Sequence, residues 1–144
     1  MSMLDLETAR RIIAASRAKG RELGLKPLTV AVLDAGAVVV ALEREDNTSR
    51  LRPDMAIGKA NGALALGMGS RAIGARAETQ PYFVQSVNAL AGGSLVPVPG
   101  GVLIRKTAGG EIIGAVGITG DTSDNDEAAA IAGIEAAGFV GDGG

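Results

Sequence analysis

Two runs of β-favouring residues, Leu28-Thr29-Val30-Ala31-Val32-Leu33 and Ala37-Val38-Val39-Val40-Ala41-Leu42, are separated by the turn signal Asp34-Ala35-Gly36. This spacing predicts a β-hairpin, and an isolated hairpin is not stable in water without further strands or a helix to cover one face. A second pair of runs supplies those strands. Residues 102–107 and 111–119 are β-rich and flank the turn Ala108-Gly109-Gly110. Elsewhere the periodicity is helical. Leu6, Ala9, Ile12, Ile13 and Ala15 form an apolar stripe, with Arg10, Arg11, Arg17, Lys19 and Arg21 on the polar face. Pro53 sits where a first helical residue belongs, opening a helix over 54–66. Short helices follow over 71–77 and from about 80 to 90, where Ala91-Gly92-Gly93 stops the second. A last helix covers about 124–137, and residues 138–144 read as a loose tail. The expected order is α-ββ-α(αα)-ββ-α in one domain of 144 residues. That is an α+β fold with an antiparallel sheet built from two β-hairpins and flanked by helices.

Composition narrows the chemistry. Hydrophobic residues make up 47% of the chain, but the aromatics are Tyr82, Phe83 and Phe139 alone. The core must therefore pack Ala, Val, Ile and Leu, with 22 glycines allowing close backbone approach. Small-residue helix faces of this kind suit contact with a sheet or with another subunit. The 14 basic and 16 acidic residues leave a net charge of −2, which with so few aromatics disfavours nucleic acid as a partner. No Cys and no His is present, which removes disulfides, serine–histidine triads and thiolate or zinc centres. The beginning of the chain lacks the basic-then-apolar pattern of a secretory leader, and no run is long enough to span a membrane. The expectation is a soluble cytoplasmic protein with no membrane partner.

Several segments could carry a site. Gly114-Ala115-Val116-Gly117-Ile118-Thr119-Gly120 reads as strand, tight turn and helix N-terminus, a junction that brings backbone N–H groups to one point and suits an anion or a flat ligand. It matches neither the dinucleotide fingerprint nor the P-loop. Alternatively, Gly114 and Gly117 serve only to let a helix lie close to the strand. The acids of 121–127 begin like a calcium loop, but Asp126 stands where that loop needs Gly, and Ser123-x-x-Asp126 and Asp124-x-x-Glu127 fit capping boxes instead. No metal site is expected. Lys59 interrupts a small and apolar helical stretch, where it either snorkels to solvent or faces a pocket with a lowered pKa. Arg44 and Asp46 follow a strand end, where a guanidinium could grip a carboxylate. Tyr82, Met55 and Met68 are the remaining soft or phenolic groups able to approach heme iron, or else they pack.

In order and spacing, Val30-Ala31-Val32-Leu33-Asp34-Ala35-Gly36, Arg44-Glu45-Asp46, Ala56-x-x-Lys59-Ala60-x-x-Ala63, Pro99-Gly100-Gly101-Val102, the 113–120 segment and Asp126-Glu127-x-x-Ala130 resemble the GlcG/HbpS heme-binding family. That family is related to the C-terminal domain of PduO corrinoid adenosyltransferases, and the likeness covers nearly the whole chain. It implies a helix-flanked antiparallel sheet and assembly into an even-numbered homo-oligomer. It also implies a shared cleft lined by Arg44, Asp46, Lys59, Gly100, Gly101, Gly117, Thr119, Gly120 and Asp126. Heme is the cofactor it makes possible, here without His or Cys ligation. Gly58 and Gly62 stand where relatives often carry larger polar residues, which would open space beside Lys59.

Two functions follow as expectations. One is a non-catalytic protein binding heme or a small anionic or flat ligand. The other is an enzyme acting on a small carboxylate or carbonyl metabolite, with Arg44 as anion clamp, Lys59 as base or electrostatic stabiliser, and the backbone N–H groups of 117–120 as an oxyanion site.

Overall fold

A computed structural model describes residues 4–144. Helix α1 (Leu6–Glu22) starts at Asp5, whose carboxylate accepts the Thr8 N–H at 2.8 Å. It leads into the hairpin β1 (Thr29–Asp34) and β2 (Val39–Arg44), then the helices α2 (Arg52–Leu66), α3 (Ser70–Thr79) and α4 (Pro81–Leu90). The second hairpin, β3 (Gly101–Arg105) and β4 (Ile112–Thr119), precedes α5 (Ser123–Ala136) and a short strand β5 (Val140–Asp142). The strands form one antiparallel sheet in the order β2-β1-β4-β3-β5. The two expected hairpins therefore join through the first strand of one and the second strand of the other, β1 against β4, as an α+β fold.

Strand alternation divides the core between the two faces of the sheet. Val30, Val32, Val102, Val116 and Ile118 meet Ile12 and Ile13 of α1 and Ala129 and Ile134 of α5. Ala31, Leu33, Leu103 and Ala115 meet Ala56, Ala60 and Ala63 of α2. A smaller apolar lobe gathers Ile73, Val84 and Leu95 beneath α3 and α4. The small helix faces are thus spent inside the protomer. A Cβ on Gly117 would run into the Ala56 carbonyl, and one on Gly133 into Ser16 of α1. Close packing of this type is what an aliphatic core with few aromatics needs to fill its volume.

Three expectations are corrected. Residues 138–144 are not a loose tail, since β5 pairs with β3 in the register Leu103↔Asp142 to Arg105↔Val140. The Arg105–Asp142 ion pair at 2.9 Å and the Arg71 N–H to Gly143 carbonyl bond at 3.2 Å secure it. Short polar and glycine-rich ends rarely announce such pairing in sequence. Second, Gly117 belongs to the strand and not to the turn: β4 runs to Thr119 as expected, and the chain turns only at Gly120, with φ +151°, ahead of α5. Third, Gly58 and Gly62 do not open space beside Lys59. Their missing side chains admit Leu95 and Val96, and the Val96 N–H donates to the Gly58 carbonyl.

Candidate functional site

Register brings one row of polar residues to one end of the sheet. Thr29 opens β1, lying opposite Arg44 at the end of β2 and opposite Thr119 at the end of β4. All three share the parity of Ala31 and Leu33, so their side chains project from the face that carries α2. The first residue of that helix, Arg52, completes the row. Its Nη1 donates to Thr119 Oγ1 at 2.7 Å and its Nε to Ser49 Oγ at 3.2 Å. Arg44 Nη1 donates to the Thr48 carbonyl at 2.9 Å, and Thr48 Oγ1 lies 3.4 Å from the Thr29 hydroxyl. A cavity of about 240 Å³ opens here between Lys26 and Pro27, Asn47 to Ser49, Arg52 and Gly120.

Behind this row lies Lys59. It does not snorkel: the side chain is 2% exposed, and Nζ donates to the Ile118 carbonyl at 2.9 Å and to Asp126 Oδ2 at 3.3 Å. Asp126, 1% exposed near the start of α5, also accepts the Asp121 N–H on Oδ1 at 2.9 Å. Gly100 and Gly101 make room for the pair. At Gly100, with φ +123°, a Cβ would stand 2.8 Å from Nζ, and at Gly101 it would strike the Lys59 carbonyl. Ser70 Oγ, also buried, accepts the Gly101 N–H at 2.7 Å and holds that crossing in place. Burial lowers the Lys59 pKa, against the pull of Asp126, and Arg52 lowers it further. Burial raises the Asp126 pKa, opposed by the Asp121 N–H and by Lys59.

Lys59, Gly100, Gly101, Thr119, Gly120 and Asp126 therefore meet at one sheet end, as does Arg44 through Thr48. Gly117 does not line this space, because it lies under α2 against Ala56. Asp46 is exposed and makes no hydrogen bond or ion pair with the described residues. The backbone of 117–119 lies within the sheet ladder and is not free to form the expected oxyanion site. Strand β4 is paired on both sides, and the Ile118 N–H donates to the Gly100 carbonyl at 2.9 Å. Nor do the acids of 121–127 cap α5 as expected. Thr122 accepts the Asn125 N–H, while Glu127 pairs with Arg71 at 3.0 Å. Among the described residues no group of three or more His, Cys, Asp or Glu gathers.

Sequence reasoning missed Arg52, Lys26, Thr48, Ser49 and Ser70. One signal was available for Arg52. A cation in the first turn of a helix opposes the macrodipole and needs some other reason to be there.

Tyr82, Met55 and Met68 do not line this cavity. Met68 packs against the α3–α4 lobe, and Tyr82 is 66% exposed. With no His or Cys in the chain, the usual axial donors are missing as well.

Fold and site together define an α+β protein whose single described sheet carries a buried lysine–carboxylate pair beneath a cationic cleft. The family model described as Haem degrading protein HbpS-like matches residues 4–135. The chain belongs to the HbpS-like family. A search of curated proteins finds no match. Among solved structures, a PduOC:heme complex aligns with a TM-score of 0.83 at 21% identity, covering 96% of this chain and 97% of that one. The Klebsiella pneumoniae protein ORFY aligns at 0.84 with 22% identity, covering 96% and 92%. A double mutant of Streptomyces reticuli HbpS aligns at 0.79 with 23% identity, covering 94% and 87%. At these identities the likeness establishes the fold.

Proposed function

We propose that this chain is a non-catalytic binding protein of the HbpS-like family, cytoplasmic, that holds a small ligand at the sheet end where Arg44, Lys59, Gly100, Gly101, Thr119, Gly120 and Asp126 gather. The observation that carries this reading is the burial of Lys59. An ammonium held in an ion pair and bonded to a backbone carbonyl is an electrostatic fixture. Its Nζ is turned to the Ile118 carbonyl and Asp126 and does not line the cavity, whereas a general base must reach the proton it takes. The enzyme alternative, which rests on Lys59 and Arg44, loses support for Lys59 as its base.

Heme belongs to this reading through the similar structures, one of which is a PduOC:heme complex. Because the chain lacks His and Cys, its binding of heme is weak and falls short of one per chain. Titrating hemin while following the Soret band tests this; a sharp one-to-one endpoint at submicromolar concentration would overturn it. Native mass spectrometry of protein purified without added ligand tests the wider reading, which expects a bound metabolite or tetrapyrrole.

Even-numbered homo-oligomerisation is the accompanying proposal. The small helix faces cannot support it, being buried within the protomer, so the support is the family likeness together with Val38 and Val39, 64% and 42% exposed at the start of edge strand β2. Light scattering after gel filtration at micromolar concentration decides it, and a monomer mass would defeat it.

A further inference from the structure

We propose that the cleft between Lys26, Thr48, Ser49 and Arg52 is a binding site for a small oxoanion, the carboxylate or phosphate group of a compact metabolite. This deepens the small-ligand reading and rests on it, but it does not involve heme.

The guanidinium at the cleft lacks a counter-ion. Three arginines of the described chain are half-buried: Arg17, Arg52 and Arg105. Arg17 pairs with Glu43 at 2.7 Å and Glu45 at 3.0 Å, and Arg105 with Asp142 at 2.9 Å. Arg52 bonds two neutral hydroxyls and has no carboxylate among the described residues. A guanidinium offers five N–H donors, so three remain after Ser49 and Thr119 are served. Partial burial of an arginine without a counter-ion is costly, and an arriving anion removes that cost.

Three of the nearby acids are engaged elsewhere, and the unengaged one, Asp46, does not line the cavity. Asp121 accepts the Lys26 N–H at 3.0 Å and the Asn125 side-chain amide at 2.7 Å. Glu45 accepts the Leu28 N–H at 2.6 Å besides pairing with Arg17. Asp126 is committed to Lys59. No carboxylate lines the cavity, and the Lys26 ammonium makes no hydrogen bond or ion pair among the described residues, although its charge helps hold the Asp121 carboxyl down.

The donors are already oriented. Ser49 and Thr119 fix the plane of the Arg52 fork, and Arg44 holds the Thr48 carbonyl, so little ordering remains for a ligand to bring about. The volume of about 240 Å³ lies below the roughly 300–1,000 Å³ of sites for drug-sized molecules. It suits a ligand of a few heavy atoms rather than a nucleotide or a tetrapyrrole.

The test titrates the full chain with inorganic phosphate and, separately, with malonate at constant ionic strength, following heat by calorimetry and the melting temperature. At least one probe should bind saturably and raise the melting temperature. The stronger of the two identifies the phosphate or the carboxylate chemistry. Arg52→Gln should weaken that probe at least tenfold and Lys26→Gln about threefold, while Lys106→Gln, on the remote β3–β4 turn, leaves it unchanged. Lys26 is exposed and contributes only charge to the cleft, so its variant decides the matter should Arg52→Gln fail to fold. Absence of saturable binding by either probe overturns the proposal, as does full binding by both variants. Hemin binding without anion binding would sink this site and leave the family reading standing. Anion binding without hemin binding would do the reverse for heme.

Discussion

Lys59 of α2 and Asp126 of α5 meet across the end of the sheet, Nζ to Oδ2 at 3.3 Å, although the two helices lie on opposite faces. The contact is possible because Gly100 and Gly101 leave the end of β3 without side chains. It ties both helical layers to one point beside the cleft.

Breaking the pair from either side should therefore be costly. Removal of one partner leaves an uncompensated buried charge, worth about 3–5 kcal/mol. Lys59→Met and Asp126→Asn should each lower stability in urea by that order. The double variant should recover part of the loss, because no unpaired charge is left. Equal additive losses would show that the two side chains act separately. Lys59→Ala is sensitive to the same burial. As a solvent-facing lysine it would leave the melting temperature of the free protein unchanged; as a buried one it lowers it.

Glycine substitutions separate backbone contacts from side-chain contacts. At Gly117 an added methyl meets the Ala56 carbonyl, which cannot move without lifting α2 from the sheet. Gly117→Ala should cost at or above the upper end of about 1–3 kcal/mol for overpacking. At Gly58 it meets the tip of the Val96 side chain, which can rotate, and alanine gains up to about 1 kcal/mol of helix propensity. Gly58→Ala should stay within about 1 kcal/mol of the parent. Denaturant midpoints of the two variants provide the comparison, and a reversed ranking would contradict the packing described.

The hairpins and helices were legible because their signals are local. Asp34-Ala35-Gly36 and Ala108-Gly109-Gly110 mark turns, and the Ile12, Ile13 stripe marks a buried helix face. The site was legible only in part. Lys59 stood out as a lysine among small residues, yet its partner lies 67 positions away, and no local pattern distinguishes burial from snorkelling. Arg52 matters because of which acids it does not reach, a property that belongs to the assembled fold. Strand β5 was missed because Val140-Gly141-Asp142 is too short for a period-two pattern, and its pairing is set by the open edge of β3.

The acid limb of stability should depend on Asp121. Hydrogen bonds from Asn125 and from the Lys26 and Thr122 N–H groups hold its carboxyl down to about 2, against about 3.9 in an unfolded chain. A depressed carboxylate contributes stability that is fully present above the unfolded value and is lost as pH falls from there through the folded value. Asp126, raised by burial, works in the opposite direction, since its protonated form is favoured in the folded state. Melting temperatures between pH 5 and pH 2 should therefore fall less steeply in Asp121→Asn than in the parent, because asparagine keeps an acceptor for the Lys26 N–H but does not titrate. An unchanged slope would remove Asp121 from the account.

The edge of β3 yields the last test. With β5 in place, Leu103, Ile104 and Arg105 have strand partners on both sides. Removal of residues 138–144 would expose an apolar edge and would also free Arg105 from Asp142 and Arg71 from its bond to the Gly143 carbonyl. Unpaired strand edges with buried aliphatic neighbours promote association. The shortened chain should melt several degrees lower and show concentration-dependent growth in light scattering. Asp142→Ala, which removes a half-exposed ion pair but keeps the strand, should cost at most about 1 kcal/mol and leave scattering unchanged. If the truncation melts and scatters like the parent, β5 contributes little beyond covering surface. If Asp142→Ala alone reproduces the truncation, the ion pair and not the strand holds the edge.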